Sequence, residues 1–214
     1  ATTSYKSNKI TLSGVLPNEN TEGMQFASVI DVQTDGNLQN TTNATSIQKA
    51  KEIVLKISAT TNYNFTKGGL TQDDVLQKAN NYLQKTTIPF DKAIIENQKA
   101  YQVFFNRNRW YSDANTDTSS LSTFERLQRF YKGKKDALLP ILYYNFGRYL
   151  LISSSREGLL PANLQGLWAE EYQTPWNGDY HLNINLQMNY WLAESTNLSE
   201  LTKPLHQFTK NLLP

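Results

Sequence analysis

The sequence predicts an α+β protein in which antiparallel strands come first and helices follow. Three observations carry this. Apolar residues alternate with polar or small ones up to Ala59, and from Leu76 they recur at three- and four-residue intervals. The two patterns also do not interleave, and segregated strands and helices make separate units rather than βαβ crossovers.

Asn8 to Val15 reads as a strand. Met24, Phe26, Ile30 and Val32 alternate through a second, which the turn pair Asp35-Gly36 closes. Asn37 to Ser46 is polar and reads as a loop. Ile53, Leu55, Ile57 and Ala59 alternate with Val54, Lys56 and Ser58, a third strand with one face buried. Thr71-Gln72-Asp73-Asp74 is a helix start, with Leu76, Ala79 and Leu83 at helical spacing behind it. Phe90 to Arg107 carries Ile94, Tyr101, Phe104 and Phe105 along one side of a long amphipathic helix. Tyr111 to Ser120, rich in Ser, Thr, Asp and Asn, reads as a linker. Further helices are predicted over Ser122 to Phe130, Asp136 to Ile152 and Leu198 to Leu212.

Composition narrows the function. Lys and Arg total 21 against 19 Asp and Glu, a net charge of +2, which gives no electrostatic case for a nucleic-acid partner. The longest apolar stretch, Ala137 to Ile152, is broken by Pro140, Asn145 and Arg148, so no membrane span is expected. Without cysteine there is no disulfide, thiolate chemistry or Cys-ligated zinc, and the redox compartment stays open. No phosphate cradle or metal-ligand cluster is visible, so neither cofactor nor metal is expected. The chain starts at Ala1 without a signal peptide, and a trimmed N-terminus is expected. Asn40, Asn43, Asn64 and Asn197 head Asn-x-Ser/Thr triplets, which an Asn- and Thr-rich chain produces by chance.

The densest chemistry lies between Trp176 and Trp191, which hold four Asn, one Gln, one His, two Trp and two Tyr in sixteen residues. Sugars want that mixture: hydroxyls need paired donors and acceptors, and pyranose C–H faces lie on aromatic rings. Each residue also has a plainer reading. His181 could be a satisfied structural histidine, and His206 reads as a surface residue of the last helix. Trp168 and Trp191 could be core, which is the favoured reading for Trp191 inside a helix-like run; Trp176, beside Pro175 and Gly178, suits a loop that meets a ligand. Glu170-Glu171 reads as a solvated face, and Ser153 to Gly158 as a helix stop.

Together these stretches resemble glycoside hydrolase family 95, the α-L-fucosidase and α-L-galactosidase family. The similarity runs through Phe146-Gly147-Arg148-Tyr149-Leu150-Leu151-Ile152-Ser153-Ser154-Ser155-Arg156 and Leu160-Pro161-Ala162-Asn163-Leu164-Gln165-Gly166-Leu167-Trp168. It continues through Trp176, His181 to Trp191 and Asn197-Leu198-Ser199-Glu200. The resemblance implies a β-rich domain over 1–68 (part of a β-sandwich), a helical linker over 69–120, and over 121–214 the first helices of an incomplete (α/α)6 barrel. It implies hydrolysis of terminal α-linked L-fucose, commonly the 1,2 linkage, with inversion and with a fucosylated glycan as partner. Asn183 and Asn185 would hold the attacking water, and His181, with Trp176 and Trp168, would contact substrate. His181 would line the sugar near C5, where a bulky ring suits the fucose methyl. Residues two apart converge only outside a regular helix, so a helix is expected after Asn185.

The same resemblance places a general-acid Glu and an activating Asp later than Pro214. A twelve-helix barrel needs at least about 190 residues at ordinary element lengths, so the chain is expected to be the inactive N-terminal portion of a longer enzyme, with the remainder of its own chain as a partner. Apolar faces at Leu138, Leu142 and Tyr149 would then lack their partners. Family habit suggests an extracytoplasmic location. Three other readings stay open: an α-L-galactosidase, a non-catalytic carbohydrate-binding module, and another (α/α)6 enzyme.

Overall fold

A computed structural model describes residues 1–18, 22–113, 120–171 and 173–213. The chain is α+β, with antiparallel sheets followed by helices. It forms two compact units, Ala1–Ile95 and Glu96–Pro214.

The first unit is built on a four-stranded antiparallel sheet in the order β1 (Thr2–Lys6), β2 (Lys9–Val15), β3 (Gln25–Thr34) and β6 (Ile53–Thr61). The strand β1 escapes the sequence reading because Thr-Thr-Ser-Tyr-Lys has no apolar alternation; as an edge strand paired only with β2, it needs none. Asn37 to Ser46 is not a loop. It forms most of a hairpin of β4 (Asn37–Asn40) and β5 (Thr45–Gln48), where Leu38 pairs opposite Ile47. One apolar pair in a polar ribbon leaves too faint a pattern to read. A minimal pair, β7 (Tyr63–Asn64) and β8 (Gly69–Leu70), closes the strand region.

The helix α1 (Val75–Lys85) starts at Asp74, whose side chain accepts from the Gln77 amide at 2.9 Å. It lies over β3 and β6, where Ala79 and Val29 are fully buried and the Thr60 hydroxyl donates to the Val75 carbonyl at 2.7 Å. This reverses the face expected of β6. Ser58 and Thr60 are covered, whereas Ile53, Leu55 and Ile57, the last 65% exposed, lie on the opposite and open side among the described residues. Alternation fixes that one face is apolar, but not which face a helix will cover.

The second unit is helical. Its core gathers Leu151 and Ile152 of α4 (Leu139–Ser154), Ala162, and Leu186 and Tyr190 of α5 (Asn185–Tyr190). Ala193 of α6 (Leu192–Ser195), Leu198 and Leu201 complete it. Tyr101, Phe104 and Phe105 of α2 (Phe90–Phe105), and Leu205 and Phe208 of α7 (Lys203–Asn211), pack around it. The predicted helix over Leu198 to Leu212 is divided: a 3-10 turn, Ser199–Thr202, precedes α7, and Pro204 sits in the first turn of α7 where its missing N–H costs nothing. Trp191 is not core. Leu186 and Tyr190, four apart, take the buried stripe, and the next residue is turned away and 63% exposed. The part of the expected 111–120 linker that spans 114–119 lies outside the described residues.

A buried pair sets the start of α4. Arg126 of α3 (Thr123–Tyr131) grips Asp136 with two hydrogen bonds, at 2.9 and 3.0 Å. The same carboxylate accepts from the amides of Leu138 and Leu139. The Arg126 hydrogen bond is the main cause that holds the Asp136 carboxyl below its usual range. Its contribution is therefore present above the unfolded value near 3.9 and is lost as pH falls through the lowered folded value. Asp136→Ala is expected to cost about 2–4 kcal/mol at neutral pH, and the difference from wild type should shrink under acid, read from urea unfolding midpoints across pH. Outside this pair α3 is largely open: Phe124, Phe130 and Tyr131 are exposed, and a 620 Å³ cleft runs between α3 and the Leu142–Phe146 face of α4. Leu142 and Tyr149 are partly exposed, and Leu138 is half-buried.

Candidate functional site

Two loops and the start of α5 are laced together over the core of the second unit. The first loop, Asn163 to Gly166, is a tight turn in which the amides of Asn163 and Gly166 each donate to the other residue's carbonyl. The Asn163 side chain accepts from the Gln165 amide at 2.9 Å, a local Asx bond that the short amide makes readily. Gly166 has φ +70°, and a Cβ there would meet the Trp168 ring at 2.7 Å, so only glycine lets that ring lie flat on the turn.

The second loop is the 3-10 turn Pro175–Gly178. Trp176, Asn177 and Gly178 follow one another in left-handed backbone, at φ 55°, 56° and 60°. Asn and Gly tolerate this; a tryptophan does so rarely, and the turn leaves its ring 73% exposed. Gln165 Nε2 donates to the Pro175 carbonyl at 3.0 Å, the Leu164 amide to the Asp179 carbonyl, and Asn189 Nδ2 of α5 to the Asn163 carbonyl.

Beneath the loops sits a buried hydroxyl pair. Ser155 Oγ donates to the Leu201 carbonyl at 2.7 Å, so the bond of 2.9 Å between Ser155 Oγ and Tyr190 Oη must use the tyrosine proton. The Tyr190 oxygen is then free to accept from the Ala162 amide at 2.9 Å. Burial pushes the phenol pKa up, so the ring stays neutral and keeps the proton this chain needs.

The expected site residues fall into two groups. Trp176 and His181 come together, with ring centroids 5.9 Å apart and nearly perpendicular. Asn183 and Asn185 follow in the same segment. Asn183 is exposed in the turn before α5; Asn185 is half-buried and is the first residue of α5, one position earlier than the expected start. Neither amide side chain hydrogen-bonds to another described residue. Gln187 pins the turn by donating its side-chain amide to the Leu182 carbonyl, and the Leu186 amide reaches the His181 carbonyl. Trp168, 45% exposed, borders a 370 Å³ cavity with Gln165, Met188 and Leu192, a cavity that neither asparagine lines.

One neighbour was not given a role from sequence. Asp179 Oδ1 lies 2.7 Å from His181 Nε2. The signal was the spacing, because residues two apart in extended backbone share a side. Among the described residues no three His, Cys, Asp or Glu side chains gather as a metal site would require.

The family model described as glycosyl hydrolase family 95 catalytic domain matches residues 89–214. The chain belongs to glycosyl hydrolase family 95. Residues 1–66 match the model of a glycosyl hydrolase family 65 N-terminal domain. Relatives of this family 95 chain include the "Probable alpha-fucosidase A" of Aspergillus niger, 37% identical over an alignment of 199 residues that covers 86% of this chain and 24% of that protein. "Alpha-L-fucosidase 2" of Arabidopsis thaliana is 35% identical over 207 residues, 92% of this chain and 24% of its own length. The "Probable alpha-fucosidase A" of Aspergillus oryzae is 31% identical over an alignment of 216 positions, gaps included, that covers 95% of this chain and 30% of that protein. The family 95 chain thus spans about a quarter of the length of the first two relatives. No described helix is long and apolar enough to cross a membrane.

Proposed function

We propose that the full-length protein carrying this chain is an α-L-fucosidase that removes terminal α-linked L-fucose from a glycan, the 1,2 linkage foremost, with inversion. Asn183 and Asn185 hold the attacking water. An inverting hydrolase needs an acid at the leaving oxygen and a base-activated water on the opposite face of the sugar. An amide is too weak a base to keep the water's proton, so a carboxylate outside this chain polarises the pair, and a Glu outside it protonates the leaving group. Glu170, Glu171, Asp179 and Glu194 take neither role, and the chain alone is inactive. The helices of the second unit begin an (α/α)6 barrel, the sheet of the first belongs to a β-sandwich, and the protein works outside the cytoplasm.

The observation that carries this reading is the placement of the two amides. They straddle the change from irregular backbone to helix, Asn183 exposed and Asn185 half-buried, with no described partner to satisfy either amide. His181 and Trp176, edge to face with each other earlier in the same segment, supply the apolar surface that a 6-deoxy sugar favours. The names of the relatives support the fucoside. The test is the anomer first released from an α-L-fucoside by the full-length protein, followed by proton NMR before mutarotation. β-L-fucose is expected; α-L-fucose first would overturn inversion, and no release would overturn hydrolysis.

A further inference from the structure

We propose that Asp179 is a positioning residue that fixes the ring of His181, both its orientation and its tautomer, against the bound sugar. The proposal rests on the reading of His181 as a sugar contact. Asp179 is extended, at φ −86° and ψ −171°, which puts its side chain and that of His181 on one side and Tyr180 on the other. Tyr180 turns inward: its ring meets Phe208 at 4.6 Å between centroids and its hydroxyl donates to the Pro161 carbonyl. The intervening residue is anchored, so the pair above it is presented outward by a fixed backbone.

At 2.7 Å the bond between Asp179 Oδ1 and His181 Nε2 is within the range of a charge-assisted hydrogen bond. In the neutral imidazole the carboxylate requires the proton on Nε2, which leaves Nδ1 a bare acceptor. Nδ1 has no partner among the described residues. As a bare acceptor it suits a sugar hydroxyl. Trp176 stands edge-on to the same ring and borders it on another side. Without Asp179 the ring can turn over about its Cβ–Cγ bond, which puts a C–H where Nδ1 stood and removes the acceptor.

Both partners are well exposed, 36% and 51% at the side chain, and an ion pair so placed adds little to stability. Orientation and folding can therefore be separated. The experiment is a double-mutant cycle in the full-length protein on an aryl α-L-fucoside, with Asp179→Ala, His181→Ala and both together. Asp179→Ala is expected to raise KM about 10-fold, leave kcat within about 3-fold and leave the melting temperature in place, a loss on the scale of misplacing one contact. Added to His181→Ala, the same change should do nothing more, because its effect passes through that ring. A KM effect of Asp179→Ala that persists undiminished without the histidine, or wild-type kinetics in Asp179→Ala, would overturn the positioning role. Wild-type kinetics in His181→Ala would instead overturn the sugar contact on which it rests.

Discussion

Asn185→Ala in the full-length protein is expected to lower kcat on an α-L-fucoside by roughly 10²- to 10⁴-fold, the scale of losing general-base assistance. KM should move far less, because the amide grips the water rather than the sugar. Stability gives no competing explanation. Asn185 is half-buried at the first position of α5, its side chain bonds to no described residue, and alanine is the better helix former there. Asn183→Ala should behave alike, since either amide alone leaves the water one partner short. Initial rates and a melting curve for each variant check this. An unchanged kcat beside an unshifted melting curve would remove Asn185 from the mechanism.

The fold order and several helix starts were legible because they depend on local chemistry. Asp74 caps α1, and Ser122 caps α3 in a reciprocal box with Glu125, where side chain and backbone lie only three residues apart. What failed depended on distant chain. Ile53, Leu55 and Ile57 carry a strand's apolar alternation, yet α1 covers the other face, and nothing within β6 records where that helix docks. The helix-like run around Trp191 favours a core position for it, whereas Tyr190 takes that position because its hydroxyl finds Ser155 and the Ala162 amide. A buried tyrosine needs such partners, and they lie 35 and 28 residues away along the chain.

At the site, residue types were more legible than residue relations. The amide and aromatic density marked the Trp176–Trp191 segment, and within it the structure brings Trp176 and His181 together, with Asn183 and Asn185 following along the chain. Trp168 joined the same list on chemistry alone, and it borders a cavity that Trp176, His181, Asn183 and Asn185 do not line. The lacing that holds the loops, Gln165 to Pro175 and Asn189 to Asn163, is invisible in sequence because each bond joins segments whose separation is set by the turns between them.

Arg148→Met is expected to destabilise the helical unit by about 3–5 kcal/mol, the largest stability effect foreseen in it. In the sequence this arginine looks like an interruption of the apolar run Ala137 to Ile152, but its side chain is 0% exposed. Its guanidinium donates to the carbonyls of Phe104 and Phe105 in the last turn of α2 and of Asn108 just beyond it, at 2.9 to 3.0 Å. Helix-end carbonyls lack an intrahelical i+4 donor, and of these three only that of Phe104 has a further one among the described residues, the Arg107 amide at 3.3 Å. The ring of Phe105 lies under the cation at 5.2 Å and that of Tyr144 at 5.9 Å, which lowers the cost of burying the charge. Methionine matches the length and removes the charge, so the desolvation cost disappears with it, but the part-buried carbonyls of Phe105 and Asn108 lose their donor and that of Phe104 keeps only the Arg107 amide. Each such loss costs about 1–3 kcal/mol, and the relieved desolvation brings the net below their sum. Arg148→Lys should recover only part, because an ammonium cannot fork across three carbonyls as a planar guanidinium does. Urea unfolding followed by tryptophan fluorescence reads this, since Trp110 stands edge-on to Tyr144 at 5.8 Å. A midpoint equal to wild type would mean that water reaches those carbonyls, and α2 would then owe its position to Tyr101, Phe104 and Phe105 and to the Arg107–Glu200 pair at 2.8 Å.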